Sequence, residues 1–449
     1  MIALRFSTLA DEIGATPIGG DVEFTRVSVD TRTLRAGDVF FALTGDQFDG
    51  HDFVAAAVEQ GAAGVVVERD CGVSVPQLIV RNARWALGDI ASLWSAQSPA
   101  RRIALTGSNG KTTVKEMLRS VCALIGDTMA TEGNFNNDVG LPLTLFRLAE
   151  NTEFAVLEMG ANHAGEIDRL ASLAKPHVAV VNNVGPAHLD GFGSLQGVAQ
   201  AKGEIYEHIE AGGVAVVNLD EFAAEDWIAR ASVSSVVGFS LQKRGDLQAS
   251  IVGDGVIDIV ESGATYRGHI PLPGEHNLQN ALAVAAVCRS LRIAWPDIQK
   301  GLASIRAVPG RMAPKMYGDV KIYDDSYNAN PASSIAGLKV LAAQTRGRRW
   351  CVLGEMAELG DSAAELHTKV GRQAAQLGIE HFYTIVKHAI DARRGFGAKG
   401  VDYSDQDQLI ADLIEGVQPG DSVLIKGSRS AGMERVVSAL CTALQEQFA

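Results

Sequence analysis

Two spacings of apolar residues alternate along the chain. Short unbroken runs at 154–157, 178–181 and 214–217 have the make-up of parallel strands covered on both faces. Val114, Met117, Leu118, Val121, Cys122 and Ile125 instead recur at the three- and four-residue intervals of an amphipathic helix. Ahead of these, runs at 39–43, 64–67 and 78–80 with one helical stretch after Gly50 predict a small α/β domain, which lacks the G-x-G-x-x-G of a dinucleotide module. Between 247 and 270 the runs shorten and are broken by Gly253, Gly255 and Gly263, the pattern of antiparallel strands appended to a parallel core; a long apolar helix over 278–291 follows. Beyond Pro309, Gly310 and Arg311, runs at 320–323, 350–353, 382–386 and 422–425 each precede a helical pattern. Pro331 suits the first turn of a helix after Asn330, and Ser362 with Glu365 has capping-box spacing. The chain reads as α/β with three domains: a small N-terminal α/β domain at 1–82, a central parallel-sheet domain at 83–312, and a C-terminal Rossmann-like, doubly wound domain at 313–449.

One segment turns this fold into a chemistry. Residues 106–113 read T-G-S-N-G-K-T-T, directly after Ile103, Ala104 and Leu105 and directly before the amphipathic helix. Strand, glycine loop and helix N-terminus in that order make a phosphate cradle. Gly107 and Gly110 let the backbone at Ser108 and Asn109 curl so that successive N–H groups face an anion. Lys111 adds a point charge, and the Thr112 hydroxyl, followed by Thr113, can reach Mg²⁺. The general motif has glycine where this chain has Leu105, so the loop is a variant. A glycine-rich turn that merely precedes a helix is the bland alternative; ATP with Mg²⁺ is the expected ligand.

Composition narrows the partners. The 449 residues carry a formal charge of -13, which argues against a nucleic-acid backbone or an anionic membrane as the main partner. Five cysteines, scattered and without C-x-x-C spacing, fit reduced core thiols in a cytoplasm. No apolar stretch long enough to span a membrane occurs, and residues 1–12 lack the apolar segment of an export signal. A cytoplasmic monomer acting on small molecules is expected.

Several polar residues stand where chemistry could use them. Glu158 ends the 154–157 run, and a carboxylate at the end of a parallel strand beside a phosphate loop is placed to hold Mg²⁺, though a solvated strand end would look the same. His188 follows the 178–184 segment on the same sheet edge; a lone loop histidine is usually no ligand. Lys202 is spaced seven residues from both Leu195 and Ile209 on the apolar face of its helix, and so points inward. It is a snorkelling side chain, a cation facing phosphates, or a lysine carbamylated by CO₂ into a Mg²⁺ ligand. Asn134, Asn136 and Asn137 crowd a glycine-rich loop that suits sugar and diphosphate oxygens or, equally, a simple turn. Asp324, Asp325, Asn328 and Asn330 gather at a strand end, where an open α/β sheet places ligands.

Together, T-G-S-N-G-K-T-T, G-N-F-N-N-D-V-G-L-P-L-T-L, L-E-M-G-A-N-H-A-G-E-I, N-V-G-P-A-H-L-D, A-K-G-E-I, G-E-H-N-L-Q-N-A-L-A and D-D-S-Y-N-A-N-P resemble the Mur ligases of peptidoglycan synthesis over nearly the whole chain. The D-D-S-Y-N-A-N-P and L-G-E-M-A-E-L-G segments are similar to the branch that adds D-alanyl-D-alanine to a UDP-muramoyl tripeptide, and the family's shortened loop accounts for Leu105. The resemblance implies that ATP phosphorylates a carboxylate and that the dipeptide amine attacks the acyl phosphate. It also implies residue roles. Lys111 would bind phosphates, Thr112 and Glu158 one Mg²⁺, and His188 with carbamylated Lys202 a second. Asn280 would meet the adenine, Arg311 the phosphates and Asp325 the ribose. Thr31, Arg32 and Gln47 would hold the UDP end, Asn134, Asn136 and Asn137 the sugar and diphosphate, and Ser428 and Arg429 the peptide. A sister ligase adding the third amino acid shares the architecture but typically has D-Y-A-H-T-P-D and D-N-P-R segments that are absent here. A folate polyglutamate synthase has little sequence before its phosphate loop. A nucleotide switch or motor would not use His188, Lys202 and the third domain together.

Overall fold

The computed structural model describes residues 2–45, 47–231, 235–253, 255–385 and 388–448. Three sheets follow one another along the chain. The first has five strands in the order Thr16–Ile18, Gln77–Ile79, Gly64–Val67, Val39–Phe41 and Val27–Ser28, all parallel except the first pair. Helix Ala83–Ala96 leaves this sheet and packs Trp94 edge-on against Phe146 of the central domain, with Phe24 stacked on its other side.

The central sheet has nine strands. Its parallel part holds Arg101–Thr106 between Val178–Val181 and Phe154–Glu158, and the fully buried faces of these strands explain their unbroken apolar runs. Strands Leu247–Gly253, Val256–Glu261 and Ala264–His269 then add an antiparallel extension, as the glycine-broken pattern predicts. Strand Ser235–Ser240 joins the two parts, and its exposed first half hid it from a search for apolar runs. Helix Glu275–Ser290 packs across the sheet with eleven buried residues, beginning three residues ahead of the predicted stretch. The phosphate-loop helix, Lys111–Cys122, buries Val114, Met117, Leu118, Val121 and Cys122 but stops short of Ile125, which is exposed.

The third sheet runs Ala313–Tyr317, Val320–Asp325, Ser422–Lys426, Arg349–Leu353, His381–Ile385 and Val401–Tyr403, with only the first pair antiparallel. Of the expected strand at 382–386, Val386 lies outside the described residues. Asn330 caps helix Pro331–Ala342 in a reciprocal box with Ser333, and Pro331 occupies the first turn. The box expected at Ser362 does not form: Ser362 closes the 3₁₀ turn Gly360–Ser362 in a helical conformation, which turns its hydroxyl away from the N-cap role. All five cysteines are free. Among the described residues no helix is long and apolar enough to cross a membrane.

Candidate active site

The carboxyl ends of the central strands face a cavity of about 910 Å³ that is closed on its far side by the third domain. The phosphate loop forms its floor. Gly110, at φ 76°, must be glycine, because a Cβ there would stand 2.7 Å from Asn280 Oδ1. Asn109 is held from both sides: its N–H donates to Asn183 Oδ1 at 2.8 Å, while Asn182 Nδ2 and Asn183 Nδ2 each donate to its carbonyl at 3.0 Å. Asn182 Nδ2 also reaches Asn280 Oδ1 at 2.8 Å, so the adenine candidate of the long helix is tied to the loop. Asn182 and Asn183 were missed by sequence reasoning, where two asparagines after a strand look like an ordinary turn.

Thr112 Oγ1 donates to Glu158 Oε2 at 2.9 Å, and Asn136 Nδ2 donates to Glu158 Oε1 at the same distance. Glu158 is only 2% exposed, which excludes a merely solvated strand end. Hydroxyl and carboxylate oxygens at the mouth of a phosphate cradle suit Mg²⁺, a hard ion that prefers oxygen. Among the described residues no group of three or more His, Cys, Asp or Glu converges on one point.

Lys111 Nζ donates to the Gly107 carbonyl at 2.9 Å, and burial holds its pKa below the ordinary value against the pull of Glu158. Lys202 is 1% exposed, which rules out a snorkelling side chain. Burial, and then the charge of Lys111, push its pKa well below the ordinary value; the Phe192 ring lies 5.8 Å from its Nζ. His188 lines the cavity at the start of helix Leu189–Phe192. Burial lowers its pKa, opposed by Glu358, whose carboxylate comes across from the third domain to pair with Nδ1.

Across the cavity, Arg311 stacks on Tyr327 at 4.2 Å. Asp325 is sandwiched between Lys426 Nζ, 2.5 Å from Oδ2, and the Met312 N–H, 3.1 Å from Oδ1; burial raises its pKa and Lys426 opposes the rise. Asn134, Asn136 and Asn137 line the same cavity, although Asn137 Oδ1 also accepts from the Gly140 N–H at 2.8 Å and so serves the turn as well. Thr31, Arg32 and Gln47 lie on the first domain outside the cavity wall, where Arg32 is tied to Asp30. Ser428 and Arg429 do not line it either: the Ser428 N–H donates to the Glu355 carbonyl, and Arg429 pairs with Glu434.

Residues 105–288 match the Mur ligase middle domain, residues 310–429 the Mur ligase glutamate ligase domain, and residues 23–93 the Mur ligase family catalytic domain. The chain belongs to the Mur ligase family. It is 41% identical over 98% of its length to the UDP-N-acetylmuramoyl-tripeptide–D-alanyl-D-alanine ligase of Escherichia coli, covering 99% of that protein. A crystal structure of MurF from Acinetobacter baumannii superposes with a TM-score of 0.91 at 34% identity, covering 98% of this chain and 100% of the other. MurF from Thermotoga maritima in complex with ADP gives a TM-score of 0.86 at 29% identity, covering 94% and 98%. This Mur ligase thus shares a three-domain fold with a relative crystallised with a nucleotide.

Proposed function

We propose that this Mur ligase joins D-alanyl-D-alanine to a UDP-N-acetylmuramoyl tripeptide with cleavage of ATP to ADP and phosphate, a step of cytoplasmic peptidoglycan precursor synthesis. The observation that carries the reading is the Thr112–Glu158 pair at the mouth of the phosphate loop, on the floor of the cavity. A free carboxylate is a poor acyl donor. Its oxygen attacks the γ-phosphorus and ADP leaves; the dipeptide amine then attacks the acyl carbon, expelling phosphate and a proton as the amide forms. When bound, Mg²⁺ would offset the repulsion between that carboxylate and the γ-phosphate.

The chain's own residues fit these tasks. Thr112 and Glu158 would hold one Mg²⁺, and His188 with Lys202 the second. Burial shifts the Lys202 amine toward its neutral, nucleophilic form; its addition to CO₂ with loss of a proton would give Lys202 the oxygens a hard ion needs. The loop N–H groups and Lys111 would take the phosphates with Arg311, Asn280 the adenine and Asp325 the ribose. Asn134, Asn136 and Asn137 would meet the sugar and diphosphate, Thr31, Arg32 and Gln47 the uridine end, and Ser428 and Arg429 the peptide. Because the cavity is walled by two domains, closure of the third would exclude water from the acyl phosphate.

The test is phosphate release and product mass with ATP, Mg²⁺, UDP-muramoyl tripeptide and D-alanyl-D-alanine, omitting each in turn. Release that needs all four, with a mass gain of one dipeptide less water, supports the ligase. Release that persists without the dipeptide and yields no amide sinks it.

A further inference from the structure

The segment L-G-E-M-A-E-L-G is not used by any of the roles above, yet it makes one of the closest approaches between the third domain and the central one. Its loop is rigidly presented. Met356 and Leu359 are buried in the third-domain core, the Met356 N–H donates to His367 Nε2 at 2.9 Å, and the Glu355 carbonyl accepts from the Ser428 N–H at 2.8 Å. From that base Glu358 reaches His188. The Leu189 N–H donates to the Glu358 carbonyl at 3.1 Å, so the two main chains are docked as well as the side chains. Gly360 allows the approach: a Cβ there would lie 2.4 Å from Asp190 Oδ1.

Both partners carry backbone strain. His188 has φ 54° and Glu358 φ 62°, two of the six non-glycine residues in the left-handed region among the described residues, and they meet across the domain boundary. Conformations of this kind cost of order 1 kcal/mol each and persist where the surroundings over-determine them. Neither sequence position calls for the left-handed form on its own. Among the described residues, the buried Nδ1 of His188 has no partner apart from the Glu358 carboxylate paired with it.

We propose that Glu358 is a positioning residue for His188: its carboxylate engages Nδ1, fixes the imidazole, and leaves Nε2 as the nitrogen available to a divalent ion, so that this part of the site is complete only when the third domain is docked. A histidine that binds metal through one ring nitrogen commonly gives the other to a carboxylate, which sets both tautomer and ring orientation. Here that carboxylate comes from a different domain than the histidine, 170 residues further along the chain. The proposal rests on the reading that His188 serves the ion.

The test measures Mn²⁺ affinity by electron paramagnetic resonance in the presence of saturating ADP, with no turnover required. Glu358 is half exposed, so Glu358→Ala and the near-isosteric Glu358→Gln leave the core untouched. The expected result is Mn²⁺ binding weakened about tenfold in both variants, with metal-free ADP affinity and melting temperature unchanged. Combining Glu358→Ala with His188→Ala should then weaken it no further than His188→Ala alone. Wild-type Mn²⁺ affinity in the Glu358 variants, or losses that simply add to that of His188→Ala, overturns the proposal. If His188→Ala itself binds Mn²⁺ normally, the histidine's role fails first and the proposal falls with it, a result distinct from the Glu358 outcome.

Discussion

Asn330 Nδ2 donates to Asn109 Oδ1 at 2.7 Å, a hydrogen bond between the helix cap of the third domain and the phosphate loop of the central one. The same asparagine uses its Oδ1 to cap helix Pro331–Ala342 through the Ser333 N–H at 2.9 Å. One side chain therefore sets the start of a helix and ties it to the glycine-rich loop of another domain. Asn330→Ala should destabilise the protein by about 1–2 kcal/mol through the lost cap and raise the KM for ATP several-fold. Asn330→Ser keeps a capping oxygen and should restore stability while leaving the KM raised; a normal KM in both variants would show that the bridge does not serve the nucleotide.

Lys202 gives a second expectation. Lys202→Ala should abolish turnover with the fold intact by circular dichroism, and Lys202→Arg should not rescue it, because a guanidinium cannot form a carbamate. In wild-type protein supplied with ¹³CO₂, a carbamate carbon signal should appear and vanish in either variant. Near-normal turnover in either would remove the carbamate from the mechanism.

The Asp325–Lys426 pair is buried on both sides. Replacing Lys426 by Met leaves the carboxylate uncompensated and should cost about 3–5 kcal/mol in urea unfolding at neutral pH, whereas the double replacement with Asp325→Asn should recover most of that. In the single variant the folded carboxyl, raised further without its cation, takes up a proton before the unfolded one. The loss should therefore shrink as pH falls through that raised pKa.

His276, on the cavity wall, has its pKa lowered to about 4 from the usual 6.5 by burial, with Lys426 adding to it. Between those values the unfolded chain binds a proton that the folded protein does not. Stability is thus complete above pH 6.5 and is lost as pH falls toward 4, by roughly 1–2 kcal/mol once partial access through the cavity is allowed for. His276→Gln should flatten that part of the stability-against-pH curve; an unchanged slope would assign the acid sensitivity to other groups.

The parallel strands could be read from the sequence because burial on both faces leaves unbroken apolar runs. Lys202 does point inward, but the stripe that predicted it held only in part: Leu195 is exposed, and Ile209 lies beyond the helix Leu195–Gly203. The strand, glycine loop and helix of residues 101–122 were legible because their signals are local: an apolar run, two glycines and an amphipathic spacing follow one another directly. What stayed hidden depends on partners far along the chain. Asn182 and Asn183 matter only because the loop curls back onto them, strand Ser235–Ser240 is half exposed, and Ser362 loses its capping role to a 3₁₀ turn that no spacing rule foresaw. Glu358 lies in a segment whose letters stood out, but that it meets His188 is fixed by the packing of two domains.

The division of the hydrophobic interior has its own consequence. Phe41, Val66 and Leu78 of the first sheet share one continuous core with Leu87 and Trp94 of the connecting helix and with Leu145, Leu157 and Ile205 of the central domain, whereas the third domain packs around its own clusters. The first two domains should therefore melt as a single cooperative block and the third as another. A body with its own interior can swing without opening anyone else's, so a movement of the third domain need not unfold the block that carries the glycine-rich loop.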